Sequence, residues 1–383
     1  MTDFQASPAD IRDFGKLVGK QAGHADACQS HIFDHTGLQG GEGWLNQLSG
    51  AHDTLVADSR TWFADLSTYT LEAAEREILA SADYYETTDA AGAESYDAGL
   101  IGYETSPPVA QGSDTRFQNQ AVDQYGRFGE MVDPQESLTA PPDYAAEGAW
   151  RWEPTWADYI SLASIGRGAI LAATEALAAI GWLDRAYDPY ELLLKPAIGD
   201  WAGFRGCVDV FRNVADAARQ LQTNLHHGRA GVPAVWTGNA ADSCEFFLAE
   251  VCAVLPDAAG VLEEIAAEYE RAAQGAKDFS STVGSIISNL VDAAIVFAAA
   301  VAGGAATAAT GVGLVVGGGV AVYEAYTITN LINGLADVYQ LTNDLMSGVQ
   351  ASLNGFGQLN ASDAFLPKPP EVADDGSAIA QLP

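Results

Sequence analysis

Positive charge is what this chain has least of. Its 383 residues carry 18 Lys and Arg against 51 Asp and Glu, a formal net charge of −33. Such a surface is repelled by nucleic acid and by anionic lipid headgroups, which excludes nucleic acid as an expected partner. Strand signals are scarce as well: apolar and polar residues rarely alternate over long runs, and alanine is abundant. The four cysteines form no C-x-x-C pair, and the six histidines do not flank them at zinc spacing. Cys244 and Cys252 are separated by about 12 Å along one helix, too far to bond. Cys207 lies on the opposing helix and reaches Cys252 only if the register allows; otherwise the four thiols are reduced and buried.

Catalytic signatures are missing too. The chain has no phosphate loop, dinucleotide fingerprint, H-E-x-x-H, nucleophile elbow or EF-hand loop. His24 and His31 share a heptad face near His35, but no cysteine or carboxylate stands at ligand spacing beside them. His226 and His227 are adjacent on a helix and do not converge on one ion. Neither an enzyme nor a cofactor or metal site is expected. The opening MTDFQASPADIRDFG has acids and no basic or apolar region, so a cleaved signal peptide is not expected.

What is present is helical periodicity. Around VPAVWTGNAADSCEFFLAEVC, residues 232–252, two long patterns meet. Upstream, Phe204, Val208, Phe211, Ala215, Ala218, Leu221 and Leu225 recur in steps of three and four. Downstream, Cys244, Phe247, Val251, Val254, Ala258, Leu262, Ile265, Tyr269 and Ala272 do the same. Gly228, Gly231, Pro233 and Gly238 punctuate the join. This is a helical hairpin with Trp236-Thr237-Gly238 at its turn. A second hairpin precedes it. Ser7 is a cap candidate, Pro8 sits at the first helical position, and Ile11, Phe14, Val18, Gln21, Ala25, Cys28 and Ile32 form a stripe. After the loop 33–47, a helix over about 47–95 carries Leu48, Leu55, Trp62, Leu66, Tyr69 and Ala73. Near its end Tyr85 and Asp89 form an i,i+4 pair on one face.

W-x-G at a hairpin turn resembles the WXG100 family of type VII (ESX) secretion substrates of actinobacteria. That likeness covers roughly 196–280. Segment 4–97 resembles EspC-like secretion-associated proteins, and Tyr85 with Asp89 looks like the Y-x-x-x-D/E export motif of that system. The later hairpin departs from the pattern, because Tyr269 is followed at the fourth position by Ala273. The resemblance implies a composite export signal of Tyr85, Asp89, Trp236 and Gly238. It implies the secretion ATPase and a small secretion chaperone or helical partner as partners, and a secreted or envelope-associated location.

Elsewhere the chain changes character twice. Residues 98–155 hold six prolines yet stay rich in aromatics, so they read as an irregular strap, with a short helix around 115–130. A helix over about 155–182 leads to the W-x-G hairpin. Beyond Lys277 only one basic residue remains, and 31 uncharged residues separate Asp292 from Glu324. That run exceeds one bilayer span, but acidic flanks anchor it poorly. It reads as a buried helical hairpin joined near Thr310-Gly311 or as a membrane-inserting segment; a similar apolar stretch is found in some EspA-like proteins.

The expected fold is all-α. Two long hairpins pack as an intramolecular four-helix-bundle-like core, with additional helices and an apolar C-terminal hairpin. The expected divisions are 4–97, 98–155, 156–280, 281–360 and a flexible tail, 361–383. The expected function is that of a secreted, non-enzymatic type VII substrate acting by protein binding. Membrane insertion or pore formation through 293–323 and a soluble scaffold are the competing readings, and homo-oligomerisation stays open.

Overall fold

The computed structural model describes residues 4–40, 43–88, 90–100, 124–146, 154–188, 197, 199–307, 312–356 and 366–372. The protein is all-α, with extensive helix–helix packing. Among the described residues the α-helices are α1 (Pro8–His35), α2 (Trp44–Asp65), α3 (Glu72–Thr87), α4 (Ala90–Asp97), α5 (Pro154–Ala179), α6 (Trp201–Gly231), α7 (Asn239–Thr307) and α8 (Val312–Phe356). A π turn, Leu66–Leu71, joins α2 to α3. Two-residue strands β1 (Gln5–Ala6) and β2 (Trp236–Thr237) pair antiparallel, with Ala6 opposite Trp236.

The predicted stripes face the core. All seven apolar positions of α6 are fully buried, as are Val251, Ala258, Leu262, Ile265, Tyr269 and Ala272 on α7. On the second helix the stripe shifts: Tyr69 is exposed, whereas Thr70, Leu71 and Ala74 are buried. The π turn explains the shift, because its wider turn advances the inward face by about one residue. Ser67 in that turn donates to the Ala22 carbonyl at 3.0 Å and so fixes the turn to α1.

Helix α1 packs on α3 and α6, α6 packs on α7, and α7 packs on α8. Ser7 precedes α1, but its hydroxyl donates to the Asp10 carboxylate at 2.6 Å instead of capping a backbone N–H. Asp200 does cap α6, accepting from Gly203 N at 2.8 Å. In the core Tyr269 stacks on Phe204 at 4.4 Å, and His52 Nδ1 lies 2.6 Å from the Tyr269 hydroxyl. Trp44, at the turn of the first hairpin, packs edge-on against Phe279 and stacks on Tyr339.

Helix α7 runs through position 280 without a break, so the expected division between 280 and 281 falls inside one 69-residue helix. The join near 310 lies outside the described residues, between α7 and α8. Pro256 sits inside α7 and has no N–H to give the Cys252 carbonyl one turn back. Gln222 Nε2 donates to that carbonyl at 3.0 Å, so α6 supplies what the proline removes. The same pairing sets the register: Cys207 lies fifteen residues from Gln222, about 22 Å along α6, and cannot meet Cys252. All four cysteines are free.

Residues 128–138 lie across α1 and α6. Glu130 accepts from Gln21 Nε2 at 2.9 Å, pairs with Lys20, and lies 2.6 Å from His24 Nε2. Asn224 on α6 accepts from the Met131 and Val132 amides. The short helix expected around 115–130 falls mostly outside the described residues. Of the tail expected over 361–383, the described residues 366–372 are docked on the first hairpin, where Trp62 Nε1 donates to the Pro367 carbonyl at 2.7 Å; the rest lies outside the described residues.

Candidate recognition site at the Trp236 turn

The turn between α6 and α7 is built by contacts from the far end of the sequence. Ser7 N donates to the Val235 carbonyl at 2.9 Å, and Gln5 N to Thr237 Oγ1 at 2.9 Å. These bonds, with the β1–β2 pair, hold the N-terminal segment over the turn. Trp236 is 2% exposed beneath it. Tyr85, from the end of α3, meets the Trp236 ring edge-on at 6.2 Å and the Phe4 ring at 5.6 Å.

Gly238 forms the bend, at φ +124°. An L side chain is strained there, and a Cβ would come within 2.5 Å of Asp97 Oδ2. Asp97 fills that space to cap α7. Its Oδ2 accepts from Asn239 N at 2.8 Å and its Oδ1 from Ala240 N at 3.0 Å. Asn239 Nδ2 returns bonds to the Asp97 and Leu100 carbonyls. The carboxylate thus satisfies two of the free N–H groups of a long helix and sits at the positive end of its dipole.

The electrostatics follow burial. Removal from water pushes the Tyr85 phenol up to about 12; the neighbouring Trp236 indole opposes the rise. Burial also raises the Asp242 carboxyl, with Asp97 adding repulsion. The Trp236 indole N–H is buried without an acceptor in good geometry. On the rim, Arg12 of α1 pairs with Asp83 at 2.7 Å and with Glu86, in exposed contacts that contribute little stability.

Of the four residues read from the sequence, Tyr85, Trp236 and Gly238 come together at one end of the molecule. Asp89 lies outside the described residues. Tyr85 does not project outward: its ring is turned into the cluster and only 9% exposed. Its counterpart on the other hairpin, Tyr269, is a core residue. Sequence reasoning missed Phe4, Asp97 and Asn239. Only Asn239, a cap-type residue directly after W-x-G, carried a local signal; Asp97 is 142 positions away from the helix it caps. The three histidines do not converge, since His24 faces Glu130 while the rings of His31 and His35 meet at a tilt, their centroids 4.8 Å apart. No group of three or more metal-ligating side chains forms among the described residues.

At the other end, α7 and α8 continue past Phe279 and Tyr339 as an antiparallel pair. From Phe279 to Thr307 the rise is about 40 Å. Ile295, Val296, Val301, Val320, Val322, Tyr323 and Tyr326 are exposed on this arm. Helix α7 is long and apolar enough to cross a membrane, and little of its most apolar stretch is buried.

No protein-family profile, curated protein or solved structure matches the chain.

Proposed function

We propose that this is a non-enzymatic, type VII-like secretion substrate that acts by binding proteins, and that its export signal is composite within one chain. The observation that carries the reading is the 6.2 Å contact between Tyr85 of the first hairpin and Trp236 of the second. In the resemblance, the Y-x-x-x-D and W-x-G elements come from two partnered hairpins. Here α1 with α2–α3, and α6 with α7, read as two such hairpins joined in cis as a four-helix-like core. Each covers the apolar stripe that a lone hairpin would leave bare. The proposed partners are the secretion ATPase and a small helical chaperone, and the proposed destination is the cell envelope or beyond.

Because Tyr85 is buried, its role in this reading is to hold the end of α3 against the Trp236 turn. The recognised surface is then the composite rim, not a projecting ring. Export of Tyr85→Ala, Asp89→Ala and Trp236→Ala chains is compared with wild type, with circular dichroism to establish folding. Folded variants that leave the cell normally defeat the proposal. Folded variants retained in the cytosol support it.

A second reading rests on the exposed apolar arm. Residues 293–323 insert into a zwitterionic bilayer after export, with Tyr323 and Tyr326 at the headgroup level. The uncharged run, with Asp292 and Glu324 bounding it, favours this reading.

A further inference from the structure

The C-terminal segment Leu366-Pro367-Lys368-Pro369-Pro370-Glu371-Val372 lies on the first hairpin with a threefold rhythm. Leu366 and Pro369 are buried, Pro367 and Pro370 are half-buried, and Lys368 and Glu371 are exposed. A period of three is that of polyproline II, not of a strand or an α-helix. The hairpin meets the segment with matching donors and acceptors. Trp62 Nε1 donates to the Pro367 carbonyl at 2.7 Å, and Thr70 Oγ1 donates to the Pro370 carbonyl at 2.7 Å. Those two carbonyls are one polyproline turn apart and so face the same way. Val372 N then donates to the Tyr69 carbonyl at 3.3 Å.

Each partner on the hairpin is explained by local structure. Thr70 and the Tyr69 carbonyl belong to the π turn, whose altered hydrogen bonding makes backbone groups accessible from the side. Trp62 is buried against Phe63 under residues 366–372, a C-terminal strap distinct from residues 98–155, and its indole N–H is aimed outward at this strap. Leu366 is 1% exposed and anchors the start of the segment. Prolines suit such a groove: they lack N–H groups that would lose water on docking, and they are already extended, so ordering them costs little entropy.

We propose that this face of the hairpin is a binding site for an extended, proline-rich peptide with an apolar residue at its start, and that residues 366–372 occupy it in cis. The strap is exchangeable. Residues 366–372 of a second copy of this chain take its place when the strap leaves. The inference is independent of the export reading, because Trp62 and Thr70 lie in and beside the π turn, well away from the Trp236 cluster.

The test uses the full chain and a fluorescein-labelled peptide of residues 363–374. In wild type the tethered strap competes at an effective concentration of about 1 mM, so binding in trans is weak. In the full-length Leu366→Ser/Pro369→Ser chain the strap is loosened, and the peptide binds at least about tenfold more tightly than to wild type. Adding Trp62→Phe, which keeps the ring and removes the donor, reverses that gain; a scrambled peptide does not bind. A folded double variant with no gain in peptide binding overturns the proposal. Should the double variant fail to fold, hydrogen exchange of the Val372 amide in wild type decides. Exchange faster than that of core amides such as Leu221 supports an exchangeable strap. Exchange only through global unfolding overturns it.

Discussion

The Asp97 carboxylate stands where a side chain on Gly238 would begin, 2.5 Å from the position of its Cβ. One interaction therefore accounts for two residues: the aspartate caps α7, and the glycine leaves room for it. Gly238→Ala is expected to cost about 3 kcal/mol, combining strain at positive φ with the clash. Asp97→Ala costs about 1–2 kcal/mol, the range for a lost cap. In the double variant the clash is gone, so the glycine substitution costs about 1–2 kcal/mol there. Urea midpoints of the four chains measure this coupling; strict additivity would show that the two sites do not interact.

Gln222 and Pro256 form a second coupled pair. Gln222→Leu leaves the Cys252 carbonyl without a partner and is expected to destabilise by about 1–2 kcal/mol. In a Pro256→Ala chain the residue 256 amide can make the ordinary helical bond. Gln222→Leu then costs under about 0.5 kcal/mol, because the carbonyl is served from its own helix. Equal costs in both backgrounds would refute the account.

Acid should destabilise the fold through two histidines. Burial lowers His31 to about 4, with repulsion from His35 adding to it, and burial also lowers His52. A base whose folded pKa is depressed binds fewer protons folded than unfolded. Its stability is thus fully present above about pH 6.5 and falls as pH drops from there, for His31 toward about 4. Thermal midpoints between pH 7.5 and 5 should decline in wild type and decline less in His31→Gln and His52→Gln. Parallel curves would place the acid sensitivity in other groups.

The exposed arm of α7 and α8 makes a membrane prediction. Dye release from zwitterionic vesicles should rise at mildly acidic pH, where carboxylates begin to neutralise and a less charged chain loses less hydration on meeting the bilayer. Val301→Asp with Val320→Asp, on the exposed faces, should abolish it without altering helicity. Absence of leakage at both neutral and acidic pH would leave the arm as a protein-binding surface.

Much of the helical design was legible from local chemistry. The stripes of α1, α6 and α7 follow from three-and-four spacing, because a helix presents one face to the core whatever its neighbour is. Pro8 at the start of α1 and the Trp236-Gly238 bend are likewise readable, since each works through its own backbone. The Tyr69 error shows the limit: a π turn changes the phase of a stripe, and no residue in LSTYTL announces it.

Other features came only with the folded chain. Asp97 and Gly238 are 141 positions apart, and neither shows what the other is for. Gln222 is an ordinary surface-type residue until α6 lies beside the gap left by Pro256. The tail sequence LPKPPEV shows a segment that cannot be helical, but its docking depends on Trp62 and Thr70 being presented side by side by the π turn. Sequence periodicity determines which face of each helix is buried, because that depends on the chain's own pitch. Which helix covers that face, which end is capped and which groove is filled depend on groups brought together across long separations, where no local pattern records the pairing.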